Sequence, residues 1–240
     1  MLPAPDLNDA LFLDFDGTLV EFAPRPDAVR VPAELIALLE NLRSNLADAV
    51  AVVSGRPIMD LDHLLAPLQF AAAGEHGAEI RATAQADVEF SSPLPEAAAT
   101  AIGRLGKQLP GTFTELKTSS ASLHYRSAPE HADAVRLGMQ EVVEQVDGYA
   151  LLGGKMVVEF KLEHINKGVA IRELASRPPF AGRRPVFIGD DVTDEAGFVA
   201  VNELGGVSIR VVGAGEETQT EARYRIGSVG EVYNWLARLV

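Results

Sequence analysis

Two periodicities alternate along the chain. Ala10-Leu-Phe-Leu-Asp14 is a short apolar run that breaks at Phe15-Asp16-Gly17-Thr18, the pattern of a buried strand ending in a glycine turn. Pro32 then opens a stretch in which Leu35, Leu38, Leu39 and Leu42 recur with helical spacing, which predicts a helix with one apolar face. Ala49–Val53 is a second apolar run, followed by Ser54-Gly55-Arg56-Pro57 and another helical stretch. Gln69–Ala73 repeats the pattern and runs into Gly74-Glu75-His76-Gly77. Strands that are apolar on both faces and alternate with helices predict a parallel sheet covered on both sides.

The middle of the chain has a different rhythm. Pro93–Leu109 is Ala-rich and helical, while Thr112–Lys117 and Ala121–Arg126 alternate apolar and polar residues, as half-exposed strands do. A longer helix over Pro129–Val146 follows, then Tyr149–Leu152 and Lys155–Lys161 as a hairpin turning at Gly153-Gly154. The order α-β-β-α-β-β predicts a separate α+β lobe. The first rhythm then returns, with a helix from Lys167, a strand over Pro185–Ile188, a helix from Asp194, a strand over Val207–Val212 and a closing helix from Gly230. The expected fold class is therefore α/β, a Rossmann-like parallel-sheet core (residues 1–85 and 164–240) with an inserted α+β domain (residues 86–163). The linkers fall near Ala82–Ser92 and Glu163–Asn166.

Composition narrows the function. Apolar residues make up 47% of 240 positions, enough for a real core. Lys and Arg total 21 against 34 Asp and Glu, a net charge of −13 that argues against nucleic acid as a partner. A small phosphorylated substrate stays open, because a local site can be positive or carry a cation. There is no Cys, which removes disulfides, thiol nucleophiles and thiolate zinc sites and fits a reducing compartment. No apolar run reaches bilayer length and the N-terminus lacks a secretion signal, so a cytoplasmic protein away from membranes is expected. A monomer is expected too, since no exposed apolar stripe is evident.

In an open parallel sheet, ligands bind beyond the carboxyl ends of the strands. Asp14 and Asp16, Ser54, Lys167, and Asp190 with Asp191 all fall at such ends or at a helix start. Carboxylates gathered this closely repel one another unless a cation joins them, and an oxygen-only set suits Mg²⁺. Any one of these Asp residues could equally be a turn residue, but the set as a whole is not explained that way. Ser54 stands before a helix, where a hydroxyl and backbone N–H groups make an anion site, or where it simply caps the helix. Lys167, after the N-cap candidate Asn166, puts a cation where the helix dipole disfavours it, and a neighbouring phosphate or carboxylate would compensate. Asp194 and Glu195 are explained by helix capping, but the Asp190-Asp191 pair is not. Two glycine-rich stretches do not complete a nucleotide motif. Gly153-Gly154-Lys155 continues with Met156, and Gly213-Ala214-Gly215 has Thr218 where a third small residue belongs.

Asp14-Phe-Asp16-Gly-Thr18, then Ser54, Lys167 and Gly-Asp190-Asp191, in that order, resemble the haloacid dehalogenase-like phosphatases. Val-Ser54-Gly55-Arg56, Gly-Glu75-His76-Gly, Glu115-Leu-Lys117, His124-Tyr-Arg126, Gly154-Lys155…Glu159, Asn166-Lys167-Gly and Gly-Asp-Asp-x-Thr-Asp-Glu resemble, within that superfamily, the trehalose-6-phosphate phosphatase family. The resemblance implies Asp14 as nucleophile forming an aspartyl-phosphate and Asp16 as general acid and base. It implies Ser54 and Lys167 as ligands of the phosphoryl oxygens. Mg²⁺ would sit on Asp14, the Asp16 carbonyl and Asp190, with Asp191 and Asp194 orienting its waters. The inserted lobe resembles a large α/β cap whose Glu115, Lys117 and Glu159 bind a distal sugar. Thr18, Gly55, Arg56, His76, His124 and Arg126 are further substrate-site candidates. Taken alone, Glu115 with Lys117 could be a surface charge pair, and His124 and Arg126 could be packing and solubility residues. Other sugar phosphates (sucrose 6-phosphate, a mannosyl-glycerate phosphate), a phosphosugar mutase and a non-catalytic sensor remain rival functions. Because the chain starts almost at the nucleophile strand, no appended synthase domain is expected.

Overall fold

β1 (Asp9–Leu13) is buried at every position, as a strand must be when sheet neighbours flank it and helices cover it. Its neighbours are β10 (Arg184–Gly189) and β2 (Val50–Val53), both parallel to it, with Leu11 opposite Val186 and Val50. The computed structural model describes residues 2–21, 23, 28–154, 156–213 and 219–240. The glycine-rich stretches at Lys155 and at 214–218 thus lie partly outside the described residues.

The large sheet has eight strands in the order β12-β11-β10-β1-β2-β3-β4-β5. Here β3 is Ala71–Gly74, β4 Glu79–Arg81, β5 Glu89–Phe90, β11 Val207–Val211 and β12 Tyr224–Ile226. Strands β12 to β3 pair in parallel, and β4 turns back antiparallel on β3. Around it run α1 (Ala33–Asn45), α2 (Ile58–Leu64), α5 (Lys167–Ala175), α6 (Glu195–Glu203) and α7 (Val229–Leu236), with α5 packed on α6 and α1 on α7. Phe12 stacks on Phe180 at 5.2 Å between ring centres, and Phe187 meets Phe198 at 5.3 Å. Each such fully buried side chain contributes about 2 kcal/mol of burial free energy.

The parallel core follows the apolar runs, but three outlying strands do not. Glu79-Ile80-Arg81 carries two charges in three residues and shows no strand pattern. It is nevertheless buried, because Arg81 donates to both oxygens of Asp62 at 2.6 Å and to the Phe70 carbonyl at 2.9 Å, while Glu79 accepts the N–H of Ile58 at 2.6 Å. β5 and β12 span two and three residues, too short for any periodicity.

The chain divides into two compact units, one of Met1–Glu89 with Asn166–Val240, the other of Phe90–Ile165. The second unit contains α3 (Glu96–Gln108), β6 (Phe113–Leu116), β7 (Ala121–His124), α4 (Ala132–Val143), β8 (Tyr149–Gly154) and β9 (Val157–Leu162). This is the α-β-β-α-β-β order, with an antiparallel sheet β6-β7-β9-β8. Ile102, Leu123, Val135, Met139 and Phe160 form its own core. Its last hairpin turns beyond the two glycines. Gly153 and Gly154 lie inside β8, opposite Val158 and Val157. Met156, just before β9, adopts φ 67°, a left-handed backbone conformation.

Helices α5 and α6 meet at Gly168, where a Cβ would stand 2.2 Å from the Ala196 carbonyl oxygen. That closeness admits no side chain. Gly168→Ala is therefore expected to destabilise the protein by about 1–3 kcal/mol, as overpacking does, read as a lower urea midpoint. An unchanged midpoint would show that the two helices can part freely.

Candidate active site

The sequence places its polar residues where three central strands stop. β1 ends at Leu13 and is followed by Asp14, β10 ends at Gly189 before Asp190, and β2 ends at Val53 before Ser54. Because β10, β1 and β2 are parallel neighbours, their carboxyl ends open on one side of the sheet. The N–H of Asp14 still donates to the Ile188 carbonyl at 2.9 Å, which carries the ladder up to the nucleophile candidate.

Lys167 sits at the start of α5, whose N-cap is Asn166, its Oδ1 accepting the N–H of Val169 at 3.0 Å. The Lys167 ammonium donates to Asp14 Oδ1 and to Asp194 Oδ1, both at 2.6 Å. All three residues are buried, at 3%, 4% and 0% exposure for Lys167, Asp14 and Asp194. The two carboxylates thus compensate a cation at a helix start. Burial alone favours the neutral amine, but the flanking carboxylates of Asp14 and Asp194 hold Lys167 protonated well above the usual lysine range.

Asp194 works with both oxygens. Its Oδ2 accepts the backbone N–H groups of Asp190 (2.9 Å) and Asp191 (3.0 Å), while the Asp191 side chain accepts the N–H of Asp194. Capping therefore does account for Asp191, contrary to the expectation from sequence that it leaves the Asp190-Asp191 pair unexplained. The reciprocal bonds form a capping box at the short turn Val192–Asp194. Gly189 makes room for it, since a Cβ there would lie 2.4 Å from Asp194 Cγ.

Asp190 is the residue that capping leaves over. Its Oδ1 is buried without a hydrogen-bond partner among the described residues. Burial, then the charges of Asp14 and Asp194, push its carboxyl up to about 9, and burial with Asp194 raises Asp14 to about 7 against the pull of Lys167. Asp14, Asp190 and Asp194 can bring one oxygen each within 4.8 Å of one another. With all three ionised, the carboxylates would outweigh the one ammonium by two charges, the charge of one divalent cation. An orphaned buried oxygen in an all-oxygen donor set is the environment that a hard cation such as Mg²⁺ satisfies.

Asp16 faces a different partner. Arg56 donates from Nε to Asp16 Oδ2 at 2.7 Å and from Nη2 to Oδ1 at 2.8 Å, with its guanidinium 5.7 Å from the Phe15 ring centre. Arg56, a candidate for touching substrate, is thus placed on the acid–base candidate. Ser54 is buried and its Oγ accepts the Arg56 N–H at 3.2 Å, so the serine braces its own turn rather than capping α2. At the N-terminus of α2 the Ile58 N–H is already taken by the buried Glu79 carboxylate. Thr18 Oγ1 is buried without a partner among the described residues. The His76 ring packs on Gly55, where a Cβ would come within 2.7 Å of it.

In the second unit, pairing of β6, β7 and β9 sets Glu115 opposite Ser122 and Ser122 opposite Glu159, so the three share a sheet face. Lys117 donates to Glu159 Oε1 at 3.2 Å, and His124 Nε2 lies 3.0 Å from Glu115 Oε2. The His124 hydrogen bond holds the Glu115 carboxyl below its usual range against partial burial, and Lys117 adds to the pull. Arg126 follows β7 and is exposed. The residues that sequence reasoning missed are Glu79, Asp62 and Arg81, which brace α2, and Tyr233, whose hydroxyl donates to the Leu19 carbonyl at 2.6 Å. None carries a local signal.

An open parallel sheet with this carboxylate–lysine mouth and an inserted antiparallel lobe defines the fold class of the haloacid dehalogenase-like (HAD) phosphatases. A HAD-superfamily phosphatase from Bacteroides thetaiotaomicron superposes with a TM-score of 0.65 at 15% identity, covering 95% of this chain and 92% of that one. The C-terminal domain of Candida albicans trehalose-6-phosphate phosphatase superposes with a TM-score of 0.84 at 20% identity, covering 100% and 98%. The family model for trehalose-phosphatase matches residues 12–229. Escherichia coli trehalose-6-phosphate phosphatase is 41% identical over 95% of this chain and 85% of its own length. A probable trehalose-phosphate phosphatase of Sinorhizobium fredii is 42% identical over 85% and 78%. The chain belongs to the trehalose-phosphatase family, whose members are phosphoric monoester hydrolases. Among the described residues no helix is long and apolar enough to cross a membrane.

The raised Asp190 carboxyl makes a pH prediction. Its ionisation is resisted in the fold but free in the unfolded chain. Its contribution to stability is therefore full below about pH 4 and is lost as pH climbs toward about 9. In metal-stripped protein, Asp190→Asn should raise the melting temperature by about 3 °C or more near pH 8 and change little near pH 4. Added Mg²⁺ should stabilise the parent protein and not the variant. A variant effect independent of pH would sink the assignment.

Proposed function

We propose that this chain hydrolyses trehalose 6-phosphate to trehalose and phosphate, with Mg²⁺ as its cofactor and an aspartyl-phosphate on Asp14 as its intermediate. The observation that carries this reading is the buried Lys167 ammonium on Asp14, beside the unpartnered Asp190 oxygen, in a member of the trehalose-phosphatase family.

Asp14 attacks phosphorus with the carboxylate oxygen at the strand end, and the phosphorus–oxygen bond to the sugar breaks. Asp16 gives its proton to the departing sugar oxygen, then takes one from the water that attacks the aspartyl-phosphate, which releases phosphate and restores Asp14. Arg56 occupies both Asp16 oxygens with its two hydrogen bonds, so substrate entry must part Asp16 from Arg56 before Asp16 can act on the leaving oxygen. Ser54 and Lys167 bind the phosphoryl oxygens, and the Lys167 charge opposes the negative charge that spreads over them. Asp14, Asp190 and the Asp16 carbonyl hold Mg²⁺, with Asp191 and Asp194 fixing its surroundings. When bound, the ion neutralises phosphoryl charge that would otherwise repel the Asp14 carboxylate.

The sugar is read by the second unit. Glu115, Lys117 and Glu159 present charged donors and acceptors on one sheet face, with His124 and Arg126 beside them. Such groups discriminate among sugars because a wrong hydroxyl pattern leaves buried partners unpaired. On the first unit, Thr18, Gly55 and His76 are the further residues proposed to touch substrate.

Phosphate release measured with Mg²⁺ should strongly favour trehalose 6-phosphate over sucrose 6-phosphate, glucose 6-phosphate, mannose phosphates and p-nitrophenyl phosphate. Asp14→Asn should remove all but a trace of it while the protein stays folded. Preference for another ester would keep the phosphatase and discard the sugar, and an active Asp14→Asn would discard the nucleophile. Glu159→Ala should lower kcat/KM for trehalose 6-phosphate about a hundredfold and leave p-nitrophenyl phosphate within about threefold. Equal losses on both esters would make Glu159 a packing residue.

A further inference from the structure

One short segment grips the turn that carries Ser54. The Ser54 carbonyl accepts the N–H of His76 at 2.9 Å, the Arg56 carbonyl accepts the N–H of Glu75 at 3.0 Å, and the Ile58 N–H donates to Glu79 Oε2 at 2.6 Å. Three alternate backbone groups of the turn are thus held by residues 75–79. The segment departs from ordinary geometry to do so. Glu75 and His76 both take left-handed backbone angles, φ 46° and 59°, a conformation that costs a non-glycine residue about 1 kcal/mol or more. Gly74 is required as well, because a Cβ there would lie 2.7 Å from Glu79 Oε2, 2.8 Å from the Ile58 nitrogen and 2.9 Å from the Arg56 carbonyl oxygen.

A buried carboxylate at the start of α2 does more than stabilise a helix of seven residues. Pro57 has no N–H and the Arg56 N–H is bound to Ser54 Oγ, so the Ile58 N–H is the donor through which the end of the turn can be anchored. We propose that Glu79 is a positioning residue, which through Ile58 fixes the Ser54–Pro57 turn so that the Ser54 hydroxyl meets a phosphoryl oxygen. The inference rests on the role proposed for Ser54. The other charged residue of β4 supplies an internal control. Arg81 clamps Asp62, in the last turn of α2, with two bonds of 2.6 Å and makes no contact with the turn among its hydrogen bonds.

The test compares Glu79→Ala, Glu79→Asp, Glu79→Gln and Asp62→Ala in the full chain with Mg²⁺. Inorganic phosphate affinity is read by titration calorimetry, turnover of trehalose 6-phosphate by phosphate release, and stability by melting. Glu79→Ala should weaken phosphate binding about tenfold and raise KM more than it lowers kcat. Glu79→Asp, which keeps the charge but draws it back by one methylene, should show a smaller loss in a stable fold. Glu79→Gln retains an oxygen for the Ile58 N–H and should bind phosphate within about twofold of the parent. Asp62→Ala should lower the melting temperature and leave phosphate affinity unchanged. If Glu79→Asp binds phosphate like the parent, or Glu79→Ala and Asp62→Ala weaken it equally, Glu79 only stabilises and the inference falls. Those results alongside a parent protein that turns over trehalose 6-phosphate overturn Glu79 alone. A parent that neither binds phosphate nor releases it overturns the proposed reaction as well.

Discussion

Two buried carboxylates and a half-buried third within reach of one another are not a stable arrangement, and the Lys167 ammonium is what makes them tolerable. Leaving an ion in a dry interior without a partner costs several kcal/mol, and removing one member of a buried pair typically costs about 3–5 kcal/mol. Lys167 answers Asp14 and Asp194 with two bonds of 2.6 Å and leaves Asp190 unsatisfied. The site is therefore not fully paired. It keeps an open oxygen beside a strand-end carboxylate, where carboxyls that resist ionisation would gain from a cation's charge.

Much of the surrounding fold serves that contact. The parallel pairing of β10, β1 and β2 sets Asp190, Asp14 and Ser54 at adjacent strand ends, although they come from distant parts of the chain. The close approach of α5 and α6 at Gly168 brings the start of one helix to the start of the other, and so Lys167 to Asp194. Gly189 leaves the space in which the Asp194 carboxylate can hold the Asp190 and Asp191 N–H groups. At each of these points a single Cβ would collide with the machinery. Glycine is fixed there by steric room rather than by backbone angle.

The second unit uses charge differently. Its apolar residues Leu123, Val158 and Phe160 alternate with His124, Glu159 and Lys161, so one sheet face packs on α3 and α4 while the other carries ionisable groups. Those groups already have partners, Lys117 on Glu159, His124 on Glu115, and Lys161 on the Leu162 and Ile165 carbonyls. A polar ligand arriving there exchanges existing hydrogen bonds for new ones, so binding depends on matching their pattern more than on apolar area.

The local sequence determined the central strands, the helices with apolar spacing, the α-β-β-α-β-β insertion and the residues at the strand ends. Each of these follows from burial periodicity or from a short run of chemically distinctive residues, which neighbouring positions reveal. Only the tertiary structure decided that Asp194 would serve as cap and ion-pair partner at once, that Arg56 would lie on Asp16, and that the charged stretch Glu79-Ile80-Arg81 would be a buried strand. It also moved the hairpin turn past Gly153 and Gly154, because the β8–β9 register outweighed the turn preference of glycine. The reason is common to all four cases. A charge or a glycine has no fixed meaning along the chain, since its energy depends on which partner or which neighbouring backbone the fold brings within a few ångströms of it.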